Sequence, residues 1–260
     1  MIKGVLLDLS GTLHLTDAAI PGALSAVSRL VQAGVPHRFV TNTSRKTRKM
    51  LHDDLCGMGF SMPQEQIFTG ALAVRRYLEL HRLHPHLLVH RNLVAEFDGL
   101  NRENPDAVVV GYAEDDFTFQ NMNLAFRYLK AGARLLATGR TRYFEGIDGL
   151  VLDAGPFIAA LEYAAETEAL VLGKPSADFF AAAAAELGLL PEECIMVGDD
   201  ADSDVAAAVR AGLRGILVET GKYRTGDEKK IPAGALLAKD IGVAVAEILK
   251  DSTPGIRLTF

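Results

Sequence analysis

The chain reads as an α/β protein, a Rossmann-like parallel-sheet core that carries an inserted α/β domain. Three observations predict this. Short apolar runs alternate with helix-length amphipathic stretches from end to end, and each strong apolar run leads into a reactive or charged residue. The rhythm then breaks at His84-Pro85-His86, where a second α/β pattern begins.

Gly4-Val5-Leu6-Leu7 is the first strand-like run, and a helix is expected from near Pro21 to Gly34. Val35 to Val40 follows as a strand, then a helix from about Arg45 to Cys56, a short run at Ile67-Phe68 and a helix from Ala71 to about Leu80. This βαβαβα order calls for parallel strands joined by right-handed crossovers. The last third repeats it, with strands at Ala169–Leu172, Cys194–Val197 and Gly215–Val218. Ser176 is placed to N-cap the Ala-rich helix that Gly188 closes. Helices are expected from about Asp204 to Ala211 and from Ile241 to Leu249, and the tail Asp251 to Gly255 reads as loop or disorder. In the middle, Leu87–His90, Val108–Val110, Leu135–Thr138 and Leu150–Leu152 read as strands. A helix runs from about Thr118 to Lys130, and another starts after Gly155-Pro156. The division expected is a core of residues 1–82 plus 168–260 and an insert of residues 83–167.

Composition narrows the function classes. Hydrophobic residues make up 49% of 260 positions, enough to bury a sizeable core, yet no run approaches the roughly 18 apolar residues of a membrane span. The N-terminus shows no signal-peptide pattern, so the expectation is a cytoplasmic protein without a membrane partner. With 27 basic and 33 acidic residues, a formal charge of −6 offers no general attraction to nucleic acid. Cys56 and Cys194, the two cysteines, make neither a disulfide framework nor a CxxC metal site.

In open parallel sheets the ligand site lies beyond the carboxyl ends of the strands. Leu6-Leu7 leads into Asp8, Phe39-Val40 into Thr41-Asn42, Val171-Leu172 into Gly173-Lys174, and Met196-Val197-Gly198 into Asp199-Asp200. An acid, a hydroxyl–amide pair, a lysine and an acid pair are the groups needed to handle a phosphoryl group and a metal ion. An aspartate can attack phosphorus and divide a hard hydrolysis into two displacements. Because that anion must approach an anionic substrate, a cation such as Mg2+, held by carboxylates, must screen it. Lys174 adds a fixed positive charge, and Thr41 and Asn42 can donate hydrogen bonds to phosphoryl oxygens near a helix N-terminus.

Asp8-Leu9-Ser10-Gly11-Thr12-Leu13, Thr41-Asn42, Gly173-Lys174-Pro175 and Gly198-Asp199-Asp200 through Asp204 resemble, in order and spacing, the four motifs of the haloacid dehalogenase-like (HAD) superfamily. The insert resembles the large C2-type cap of its NagD-like branch. Asp8 to His14, Val40 to Thr43, Arg142-Tyr143 and Thr220-Gly221-Lys222-Tyr223 add to that likeness. The resemblance implies a phosphatase for a small phosphorylated substrate, with Asp8, Ser10 and Lys174 catalytic. It implies substrate binding by Asp8, Leu9, Ser10, Thr41, Asn42 and Lys174. Magnesium is implied on Asp8, on the Ser10 carbonyl and on Asp199, with Asp200 and Asp204 bracing from behind. A homodimer formed through the cap is a further implication.

Ser10 departs from the pattern, since most phosphatases of the superfamily carry an aspartate there as general acid and base. A serine hydroxyl titrates far outside that range. Either the leaving group needs little protonation, as with pyrophosphate or a P–N compound, or the protein is a low-turnover regulatory or phosphate-binding member. The similar branch members share the serine, which favours the first reading. A true dehalogenase would need no metal, and the retained Asp199 and Asp200 argue against it.

His81, His84, His86 and His90 match no zinc spacing and read as a solvated linker. Arg140, Arg142 and Tyr143 read equally as substrate contacts or as an exposed hairpin. Gly215 to Lys222 lacks P-loop spacing, Ser10 lacks a GxSxG elbow, and no GxGxxG follows the first strand.

Overall fold

The computed structural model describes residues 2–146 and 148–252. Along the chain, β1 (Gly4–Asp8) is followed by a small hairpin of β2 (His14–Leu15) and β3 (Ala18–Ala19). Then come α1 (Ala23–Gln32), β4 (His37–Thr41), α2 (Arg48–Gly57), β5 (Ile67–Thr69) and α3 (Gly70–His81). The middle runs β6 (Pro85–Leu88), β7 (Ala107–Val110), α4 (Phe119–Lys130), β8 (Arg134–Ala137), β9 (Tyr143–Gly146), β10 (Gly149–Leu152), α5 (Ala154–Ala165) and β11 (Leu170–Val171). The last section is α6 (Ala177–Ala185), β12 (Cys194–Gly198), α7 (Ala207–Arg210), β13 (Arg214–Val218), β14 (Leu236–Ala238) and α8 (Ile241–Ser252).

These elements form two compact units. The first comprises Met1–Thr41, Met50–Phe68 and Pro175–Phe260; the second comprises Asn42–Lys49 and Thr69–Lys174. The main sheet is six-stranded in the order β14-β13-β12-β1-β4-β5, and its pairs are parallel from β4 through β14. All five residues of β1 and all five of β12 are buried, as central parallel strands covered on both faces must be. On α1 the buried residues Ala23, Ala26, Val27 and Leu30 recur at helical spacing. They join Leu7, Phe39, Ile195, Ile241 and Val245 in one core cluster. Helix α1 starts two residues later than Pro21 because Gly22, at φ 86°, turns the chain first. Helix α8 continues to Ser252, three residues past the expected end, so Asp251 and Ser252 are helical. The rest of the expected tail, 253–255, lies outside the described residues.

The second unit holds a four-stranded parallel sheet ordered β11-β8-β7-β6, with α4 and α5 packed into its core cluster. The apolar run at 169–172 forms a strand only over Leu170–Val171, and it adds to β8 of this sheet rather than to the larger one. Pro85 does not interrupt the pattern. It opens the edge strand β6, where a missing N–H costs no ladder bond. Likewise α5 begins at Ala154, with Asp153 capping it, and Pro156 is accommodated in the first turn. Ser176 precedes α6 but its side chain makes no cap bond.

His86 and His90 are not solvated linker residues, whereas His81 is exposed at the end of α3. His90 is buried, accepts from the Asn92 N–H and lies 3.1 Å from Glu114. The ring centroids of His86 and Tyr128 are 5.1 Å apart, and burial lowers the His86 pKa. Tyr143 opens the β9–β10 hairpin and is 56% exposed, and Arg140 makes a two-point pair with Glu162 at 3.0 and 2.6 Å. Arg140 is thereby tied to α5, while Tyr143 lies on an exposed hairpin.

Phe179 is fully buried, with Phe68 at 5.2 Å and Phe180 at 5.7 Å between ring centroids. Phe179→Ala is expected to cost about 3–5 kcal/mol in urea unfolding; a loss below about 1 kcal/mol would mean that this cluster is loosely packed.

Candidate active site

Parallel register brings the reactive strand ends of the first unit together. Leu7 pairs with Val197 across β1 and β12, so Asp8 closes one strand beside Gly198, and Asp199 follows at the end of the other. On the opposite side, Asp8 pairs with Val40 of β4, one residue before Thr41. Asp8, Thr41 and Asp199 are 6%, 5% and 2% exposed, unusual burial for such polar groups.

Asp204 reaches the same place by a different route. After β12 the chain makes a π-helical turn, Ala201–Ala206, before α7 begins. Expected here was a regular helix from Asp204. The wider turn instead carries the Asp204 carboxylate back to accept the Asp200 N–H at 3.3 Å. Gly198 makes room for it, because a Cβ at that position would sit 2.5 Å from the Asp204 Cβ. Asp8, Asp199 and Asp204 thus offer carboxylate oxygens that all lie within 4.8 Å of one another, and all three residues are buried.

Burial pushes the Asp199 pKa up to about 7, and the neighbouring charges of Asp8 and Asp204 add to the shift. Lys222 opposes them twice, through its backbone N–H, which donates to Asp199 Oδ2 at 2.7 Å, and through its positive charge. Three buried carboxylates this close need either a proton or a cation. An all-oxygen donor set suits a hard divalent ion such as Mg2+.

Asp200 stands apart from the trio. Its Oδ1 accepts the Asp202 and Ser203 N–H groups at 3.1 and 2.9 Å, capping the π turn, and Oδ2 lies 3.6 Å from Lys222 Nζ. The cap bonds and the cation hold its pKa below the usual range, against the pull of burial. Ser10 is exposed, whereas Leu9 is 1% exposed and part of the core.

Asn42 and Lys174 belong to the second unit and are locked to each other. Asn42 Nδ2 donates to the Lys174 carbonyl at 2.7 Å, while the Lys174 N–H donates to Asn42 Oδ1 at 2.8 Å. Lys174 is 5% exposed. Sequence patterning finds the acids, the lysine and the Thr-Asn pair by their place after apolar runs. It gives no role to Gly198, Gly11 or the Thr220–Lys222 segment, which contribute space for a neighbour, backbone bonds and the Thr220 hydroxyl. Their signals are a glycine beside each acidic or polar motif and, for Thr220 to Tyr223, the family likeness of that run.

Comparison with known proteins gives these residues a context. A family model described as haloacid dehalogenase-like hydrolase matches residues 5–102, and a HAD-hydrolase-like model matches residues 171–244. Haloacid dehalogenase-like hydrolase domain-containing protein 2 from Bos taurus is 46% identical over 250 residues, covering 96% of both chains. Phospholysine phosphohistidine inorganic pyrophosphate phosphatase from Danio rerio is 42% identical over 256 residues, 95% of this chain and 94% of that one. Among solved structures, NagD from E. coli K-12 superposes with a TM-score of 0.84 at 26% identity, over 93% of this chain and 97% of that one. The chain therefore belongs to the haloacid dehalogenase-like hydrolases, in their NagD-like branch.

Proposed function

We propose that this protein is a magnesium-dependent phosphatase that works through an aspartyl-phosphate on Asp8, with small substrates whose leaving group departs without an acid. The phosphatase class follows from the family and from the pyrophosphate phosphatase among its relatives. The observation that carries the rest is the buried trio of Asp8, Asp199 and Asp204 at the strand ends.

The chemistry asks each residue for one thing. An Asp8 oxygen attacks phosphorus, the bond from phosphorus to the leaving group breaks, and the leaving group carries off its electron pair. Water then attacks the phosphorus of the acyl phosphate, releasing inorganic phosphate and restoring Asp8. A magnesium ion held by Asp8, Asp199 and the Ser10 carbonyl, with Asp204 behind or beside them, would screen the carboxylates and the phosphoryl oxygens. Thr41 and Asn42 are proposed to hydrogen-bond the transferring phosphoryl group, the Leu9 and Ser10 backbone to cradle it, and Lys174 to offset its charge. Residues 83–167, the proposed cap, would set which substrates enter. No helix among the described residues is long and apolar enough to cross a membrane.

Ser10 shapes the substrate reading. With no carboxyl at that position to donate a proton, phosphate leaving from pyrophosphate, or nitrophenolate from its ester, suits the site better than an alkoxide. Phosphohistidine and phospholysine, suggested by the name of the Danio relative, are P–N candidates whose nitrogen must gain its proton elsewhere. The same serine favours a second reading, a low-turnover phosphate-binding protein. A magnesium-supplemented screen with pyrophosphate, phosphohistidine and sugar phosphates separates the two, because a binder shows no turnover on any of them.

Asp8→Asn is expected to lower phosphate release from p-nitrophenyl phosphate by at least about 1000-fold, and excess chelator to do the same to the parent protein; robust activity in either sinks the reading. Ser10→Asp should raise the rate on alkyl phosphates relative to p-nitrophenyl phosphate by about 100-fold, a typical general-acid effect; an unchanged ratio argues that another group supplies the proton. A third outcome concerns pH. With Asp199 at about 7 in the folded chain against 3.8 unperturbed, the metal-free native state binds the extra proton between those values, so stability falls as pH rises from about 4 to 7. Thermal unfolding should show that decline, flattened in Asp199→Asn and by saturating magnesium; a full slope in Asp199→Asn contradicts the assignment.

A further inference from the structure

Thr220-Gly221-Lys222 follows β13 and takes no part in the chemistry above, yet it makes two hydrogen bonds to the residues around Asp8 and Asp199. Thr220 Oγ1 donates to the Gly11 carbonyl at 2.5 Å, and the Lys222 backbone N–H donates to Asp199 Oδ2 at 2.7 Å. Both partners lie in the first unit, as does the segment itself.

Two glycines make this approach feasible. Gly11 has φ +86° and Gly221 has φ +60°, left-handed values that side-chain-bearing residues rarely adopt. A Cβ on either would run into the Asp199 carboxylate, and one on Gly221 would also strike the Gly11 backbone. The loop after β13 and the turn after β1 therefore meet backbone to backbone, with one oxygen of Asp199 held against them.

The consequence lies in where Gly11 is pinned. Its N–H donates to the His14 carbonyl at 2.8 Å, which fixes the Ser10–Gly11 peptide plane and so the direction of the Ser10 carbonyl. Its own carbonyl is fixed by Thr220. The turn after the nucleophile strand is thus tied on both sides of Gly11, and Asp199 has Oδ2 committed to Lys222.

We propose that Thr220-Gly221-Lys222 is a positioning loop that presets the cation site, Thr220 by holding the Gly11 peptide and Lys222 by engaging Asp199 Oδ2 so that Oδ1 is the oxygen left for the ion. This rests on the magnesium reading above. The Lys222 ammonium is a minor part of it, because that side chain is 70% exposed and its pairing with Asp200 at 3.6 Å is of the surface kind. Outer hydrogen bonds of this sort orient metal ligands without touching the ion.

Titration calorimetry of MgCl2 into the full-length protein tests it, with Thr220→Val, Thr220→Ala and Thr220→Ser beside the parent chain. Loss of the hydroxyl in Val or Ala should weaken magnesium binding by about 10-fold, the scale measured for outer-sphere partners, while Ser restores it. In turnover assays the half-saturating magnesium concentration should rise in the same proportion, with KM for p-nitrophenyl phosphate changed much less. Either hydroxyl-free variant that folds is sufficient, as judged by circular dichroism of the metal-free protein. Equal magnesium affinity in parent and Thr220→Val or Thr220→Ala overturns this inference alone, as does a Thr220→Ser variant as weak as Thr220→Val. A parent protein that binds no magnesium overturns the magnesium reading and this inference with it.

Discussion

Three buried carboxylates crowded at the strand ends set the terms for the rest of the site. Asp8, Asp199 and Asp204 have oxygens within 4.8 Å of one another, and burial with mutual repulsion drives Asp199 to a pKa of about 7. Folding concentrates them at a cost that local contacts only partly offset. A site of this kind is primed for a divalent cation, whose binding relieves the repulsion that the fold imposes.

The parallel sheet is what makes the cost unavoidable. Adjacent strands β1 and β12 end at the same level, so their terminal acids face each other, and β4 brings Thr41 alongside. Steric details then decide the geometry. Gly198 leaves space for Asp204, the π turn aims it back, and the Gly11–Gly221 contact lets one backbone N–H hold one Asp199 oxygen. Asp200, next in sequence to Asp199, is used as a cap and faces Lys222 instead. Adjacent acids thus acquire different roles because one follows the strand and the other starts a helical turn.

Much of this was legible in the sequence. Strand ends flagged Asp8, Thr41-Asn42, Lys174 and Asp199, and fully apolar runs such as Val5-Leu6-Leu7 marked central parallel strands. What was not legible depends on tertiary contacts. The short run at 170–171 is equally apolar whichever sheet it joins, and only pairing with β8 decides. Pro85 looks like a breaker until its place on an edge strand is known. His84, His86 and His90 look like solvated linker residues, yet His90 and His86 pack into the second unit. Asp204 is marked by the motif, but its route to the site is not, since nothing in its spacing announces a π turn.

The most direct measurement is to mix the protein with p-nitrophenyl phosphate and magnesium, quench within the first turnovers in acid, digest, and locate any phosphoryl group by peptide mass spectrometry. Phosphorylation confined to the peptide bearing Asp8, absent with chelator and absent in Asp8→Asn, is the expected result. Turnover that proceeds with no phosphorylated peptide, or with the phosphoryl group on another residue, would contradict the role given to Asp8 and to the acid cluster around it.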